Sequence, residues 1–218
     1  TIFPSSGCCD LTASYDAAAD RWVITFLGGG AQVAVSDGPD PINDGWYNYN
    51  IGAINDYQKL SVWSDGYYMT DNTGSSNKVW AMERAEMLMG NTAQILGFNL
   101  PGIQTSGFYS PQALNVSDAN MPASGGATFL YLQDDAWGGV ATDHVKLWTL
   151  DMSMKISALA DKAKALLSLE LLGNKAVGIG DHSTEDFYKN AEEALIKLVD
   201  ADDRLKALKK YFNIKSIL

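Results

Sequence analysis

The chain has 218 residues, of which 46% are hydrophobic and 19% charged, the proportions of a folded protein and not of a disordered one. Its formal net charge is -10, with only 16 Lys and Arg, which excludes nucleic acid or an anionic membrane as a general partner because both need clustered basic charge. No run of about 18 apolar residues occurs, so no membrane-spanning helix is expected.

At the N-terminus the chain starts at Thr1 without a legible leader, which suggests processing or a piece of a longer protein. Cys8 and Cys9 are adjacent and are the only cysteines. The sulfur geometry suits so short a link poorly, so they read as two small buried residues near a strand start. A vicinal disulfide or a bridge to a partner are the alternatives. Without a CxxC spacing they make no zinc site.

Three similar units follow. The first holds Asp10-Leu-Thr-Ala-Ser-Tyr-Asp16, Arg21-Trp-Val-Ile-Thr-Phe26, Gln32-Val-Ala-Val-Ser36 and Trp46-Tyr-Asn-Tyr49. The second holds Asp56-Tyr-Gln-Lys-Leu-Ser-Val-Trp63, Gly66-Tyr-Tyr-Met-Thr70, Asn77-Lys-Val-Trp-Ala-Met82 and Ala93-Gln-Ile-Leu-Gly-Phe98. The third holds Ser110-Pro-Gln-Ala-Leu-Asn-Val116, Ala127-Thr-Phe-Leu-Tyr-Leu132 and His144-Val-Lys-Leu-Trp-Thr-Leu150. These runs are β-branched and aromatic, and turn clusters such as Asp37-Gly-Pro-Asp-Pro41 and Ser64-Asp-Gly66 separate them. Three or four short strands per unit, at a period of about 45 residues, predict propeller blades; a β-sandwich is the alternative. Propellers have about four to eight blades, so three do not close a ring. The open set predicts a bare sheet edge, to be covered by further chain, further copies, a protein partner or the tail.

Tyr15-Asp-Ala-Ala-Ala-Asp-Arg-Trp22, Val33-Ala-Val-Ser-Asp37, Asp65-Gly-Tyr-Tyr68, Ser106-Gly-Phe-Tyr-Ser-Pro111 and Tyr131-Leu-Gln-Asp-Asp-Ala-Trp137, with the Asp56–Trp63 run, carry a family resemblance. Over residues 5–153 the chain resembles secreted bacterial propeller-like surface proteins, a group often found as type IX secretion cargo. The resemblance implies a secreted or cell-surface location and no particular reaction. The β-rich C-terminal sorting domain of that group has no counterpart in this sequence.

Composition changes near Met154. Residues 1–154 hold five basic residues (Arg21, Lys59, Lys78, Arg84 and Lys146) against 16 acidic ones, and all six tryptophans. Residues 155–218 hold 11 basic and 10 acidic residues. Such a shift marks a boundary between a β-propeller-like region, 1–153, and a helical segment, 155–218. In the tail, Ile156, Leu159, Ala163, Leu166, Leu167 and Leu171 predict one apolar helix face, stopped at Gly173-Asn174. Ser183 or Thr184 caps a second helix, which is either continuous or broken near Asp200-Ala-Asp-Asp203. A helical hairpin of this size buries little alone and should dock on something.

Several constellations bear on chemistry. Asp10 and Asp56 stand at equivalent strand starts, where paired carboxylates serve glycoside hydrolysis, or simply cap their own turns. Asp37, Asp40 and Asp44, with Asn43, form an oxygen-rich loop of the kind that holds Ca²⁺ and that also builds ordinary turns; Asp134-Asp135 is a second such place. Trp46, Tyr67, Tyr68 and Trp137, with Tyr47 and Tyr109, offer flat rings for stacking on a glycan or anchoring a protein, or else fill the core between blades. His144 and His182 read as structural. No G-x-S-x-G elbow occurs, and Gly28-Gly-Gly30 is a strand–strand turn, not a phosphate cradle. The expectation is a non-catalytic module for binding or assembly with a helical docking tail. A carbohydrate-active propeller enzyme and a subunit of a larger extracellular assembly are the alternatives.

Overall fold

A computed structural model describes residues 2–54, 56–72, 78–103, 110–116, 118–123, 125–137, 140–174 and 184–212. The chain is mainly β with a C-terminal helical segment, and forms two compact units that divide between Asp151 and Met152.

In the first unit the strands make three antiparallel sheets, each from consecutive segments. Sheet 1 is β1 (Cys9–Asp16), β2 (Arg21–Leu27), β3 (Ala31–Ser36) and β4 (Trp46–Ile51). Sheet 2 is β5 (Lys59–Trp63), β6 (Gly66–Thr70), β7 (Val79–Met82) and β8 (Ile95–Phe98), with the five-residue helix α1 (Arg84–Leu88) before its last strand. Sheet 3 is β9 (Gln112–Ala113), β10 (Ala127–Gln133) and β11 (His144–Leu150), with β10 in the middle. The β2–β3 turn, Gly28–Gly30, is tight. At the β2–β3 turn Gly30 has φ +102°, and a Cβ there would come within 2.7 Å of the Gly52 Cα, so only glycine serves.

The sheets pack by their faces. Alternation along each strand sends Val23, Val33 and Val35 of sheet 1 into one core with Val62, Tyr67, Met69 and Trp80 of sheet 2. The opposite face of sheet 2 meets sheet 3: Tyr68 packs edge-on against Phe129 at 5.7 Å between ring centres. Trp63 Nε1 donates to the Gly125 carbonyl, and Val62 N donates to Asn115 Oδ1 at 2.7 Å. The first strands are neighbours, β1 beside β5 and β5 beside β9. At the two ends of this stack apolar side chains are exposed on sheet faces, Leu11 and Tyr15 on sheet 1 and Leu132, Val145 and Leu147 on sheet 3. Pleated sheets bury their side chains face to face, so a missing neighbour uncovers a face.

In the second unit α2 (Ser153–Asn174) and α3 (Thr184–Phe212) pack against each other. Helix α3 runs unbroken through Asp200–Asp203. The expected Leu-rich face of α2 is not the buried one, since Leu166, Leu167 and Leu171 are exposed. Among the described side chains of the two helices the buried ones are Ala158 and Ala165 of α2 and Ala194 and Ala201 of α3, each pair spaced by seven residues. Small side chains in a heptad seam bring two helix axes close and leave the leucines outside. Arg204 pairs with Asp161 at 2.8 Å and Lys162 with Asp202 at 2.7 Å across the helices. These pairs are half-exposed and add little.

Candidate functional site

Several candidate residues of the β unit, Asp10, Asp56 and the Cys8–Cys9 pair, lie at or just before the first strands of sheets 1 and 2. A shift of register between Cys9 and Thr12 interrupts β1. Inside this irregularity Asp10 takes the left-handed conformation, φ 55°, and Tyr57, just before β5, does the same at 45°. Non-glycine residues rarely adopt such angles and tend to be held there at functional sites. The two are linked, for Gln58 Nε2 donates to the Asp10 carbonyl at 2.8 Å while its buried Oε1 has no partner among the described residues.

Lys59 completes the group. Its ammonium lies over the Tyr57 ring, 3.2 Å from the centroid, and donates to the Gln58 carbonyl. Partial burial lowers the Lys59 pKa, and Asp10 and then Asp56, both near enough to favour the charged form, oppose that shift. The two candidate carboxylates, Asp10 and Asp56, thus both bear electrostatically on Lys59. Asp56 Oδ2 accepts from Asn72 Nδ2 at 2.7 Å. A cleft of about 420 Å³, lined in part by Asp56, Gly28–Gly30 and the Cys8–Cys9 pair, opens beside it.

Cys8 and Cys9 are joined in a disulfide and exposed, which corrects the reading of two small buried residues. Gly7 seats against the Phe26 ring and Cys8 N donates to the Leu27 carbonyl, so the pair is fixed at the sheet surface and not drawn into the core.

The Asp37–Asp44 loop is built as a turn. Asp37 Oδ1 accepts from Gly45 N, Asp40 Oδ1 from Ile42 N, and Asp44 Oδ2 from Asp40 N, all within 2.9 Å. The Asn43 side-chain amide and then the Ile42 and Asn43 amides lower the Asp40 pKa. Among the described residues the acidic oxygens that converge belong to Asp134, Asp135 and Asp143, within 4.8 Å of one another. Asp134 and Asp143 each accept a backbone N–H of the same turn.

Of the aromatic candidates, Trp46 is half-buried at the start of β4. Tyr67 and Tyr68 are fully buried between sheets, with no ring face free for stacking. Burial, reinforced by Asp16 for Tyr67 and by Asp65 for Tyr68, holds both phenols neutral well above the usual tyrosine range. Trp137 ends a 3-10 turn, Asp135–Trp137, and its side chain lies outside the described residues, as do Tyr109 and His182. His144 Nδ1 donates to the Thr142 carbonyl.

Two features escaped sequence reasoning, the role of Lys59 and a buried triad, while the cysteine bond was among the alternatives it left open. In the triad Asp16, wholly buried, takes two bonds from Arg84 (2.6 and 2.9 Å) and one from Tyr67 (2.8 Å). The available signal was scarcity, because Lys59 and Arg84 are two of only five cations in an acidic region.

Comparison of the chain with protein-family models, with curated proteins and with solved structures finds no match.

Proposed function

We propose that the chain is a propeller-like module of the cell exterior that binds or assembles and does no chemistry itself, like the secreted bacterial surface proteins it resembles. One observation carries this reading. Three consecutive sheets stack by their faces with their first strands adjacent, which is the relation between propeller blades. The exposed disulfide supports an exterior location, because such bonds persist in oxidising compartments. The helical hairpin serves as the docking or oligomerisation element, supported by its exposed Leu167, Leu171, Tyr188, Leu195, Ile196 and Val199.

A second reading, a carbohydrate-active enzyme, draws on Asp10 and Asp56 acting on the same lysine, since two carboxylates flanking a bond are what glycoside hydrolysis needs. A glycan-hydrolysis screen of the native chain and the Asp10→Asn/Asp56→Asn double variant separates the two. The binding reading expects no hydrolysis from either protein. Hydrolysis by the native chain that the double variant loses would replace it with the enzymatic one.

A further inference from the structure

The stack of sheets ends in two apolar faces, and they differ. On sheet 1, the face turned from sheet 2 carries Leu11, Tyr15, Trp22 and Phe26, with Tyr15 opposite Trp22 in the register. Leu11 is 71% exposed there, and a cleft of about 400 Å³, lined in part by Phe3, Leu11 and Phe26, opens beside it. On sheet 3, the face turned from sheet 2 pairs Leu132 with Val145 and Leu130 with Leu147. Leu132, Val145 and Leu147 are 52%, 59% and 65% exposed. Of the exposed large apolar side chains described in the β unit, only Ile42 and Met89 lie away from these faces or the adjoining Leu114.

Within one chain the same kind of contact is already made twice, sheet 1 on sheet 2 and sheet 2 on sheet 3, each time through apolar and aromatic side chains between two faces. The two open faces are the unused halves of that contact. Different patches on one molecule that fit each other form head-to-tail interfaces, which close into a ring when the rotation allows. Twice three sheets is six, within the range of closed propellers.

We propose that a second copy of this chain covers both faces. The open face of sheet 3 in one copy packs on the open face of sheet 1 in the other, and the reciprocal contact closes a ring of six sheets. The inference rests on the propeller-like reading above and supplies its partner. It also brings the first strands of both copies, with Asp10, Asp56 and Lys59 at their starts, around one axis.

The test uses the full chain, its Leu11→Glu variant, its Leu147→Glu variant and an equimolar mixture of the two variants, with mass read by light scattering on a sizing column. The native chain should run at twice 23.6 kDa. Each variant should be a folded monomer, with dimer affinity reduced at least about a hundredfold, since both positions are mostly exposed within one chain. The mixture should recover the two-copy mass, because one of its two interfaces is native on both sides. A monomeric native chain, a mass above two copies, a variant that still dimerises, or a mixture that stays monomeric would each overturn the ring. Hydrogen exchange at Val62 and Val116, whose amides bridge sheets 2 and 3 within a chain, reads the stack separately. Slow exchange there in a monomer leaves the stacked-sheet reading standing, and fast exchange removes it.

Discussion

Asp16 shows how a single residue joins two sheets. It ends β1, and its carboxylate is wholly shielded from water, where an isolated charge is intolerable. The Arg84 fork answers it bidentately from α1 and Tyr67 from β6, so a charge on sheet 1 is satisfied from sheet 2. Arg84→Ala leaves that carboxylate with only the phenol and the Ala19 amide. Removing one partner of a buried pair costs about 3 to 5 kcal/mol, and the surviving bonds place this case near about 3. Urea unfolding should show that loss as a lower midpoint; a change below about 1 kcal/mol would mean the pair is no inter-sheet tie. None of this was legible beforehand, because Asp16 and Arg84 stand 68 positions apart and nothing local marks them as partners. Tyr67 and Tyr68 were legible only as large rings, open to either a sugar or a core, and the pleat, which sends one to each neighbouring sheet, decided it.

Among the elements, the strands were the most legible. Runs such as Arg21–Leu27 and His144–Leu150 alternate, and alternation is a local property that survives any tertiary arrangement. Helix α1 was not legible, having five residues and no side-chain cap. The two-residue strand β9 exists because the central strand β10 recruits it. The hairpin misled differently. Its helices and their order were clear, but hydrophobicity points to leucine while the seam uses alanine, since close approach selects for size and not for apolar character. Ala201→Leu should therefore destabilise the hairpin by about 1 to 3 kcal/mol through overpacking, although leucine is nearly as good a helix former as alanine. Thermal unfolding followed by helical circular dichroism measures it; an unchanged or higher midpoint would deny the alanine seam.

For the whole molecule the question is what becomes of apolar faces at the ends of a stack. Counting repeats predicts that three propeller-like units leave a ring open, but a count does not say which surface stays open. The register supplied that, with Leu132 opposite Val145 on one sheet and Tyr15 opposite Trp22 on another. Each leucine-sized side chain moved out of water contributes roughly 2 kcal/mol, so several per interface rival the roughly 4 to 15 kcal/mol cost of associating two bodies. A ring of two copies makes two such interfaces while losing freedom once, which favours closure over a single contact. The direct measurement replaces Val145 with a photo-reactive benzoylphenylalanine in the full chain, mixes it with isotope-labelled native chain, irradiates, and maps the adducts by mass spectrometry. The account predicts adducts between chains that fall on β1 and β2 of the labelled copy. Adducts confined to one chain, or joining sheet 3 to sheet 3, would contradict it.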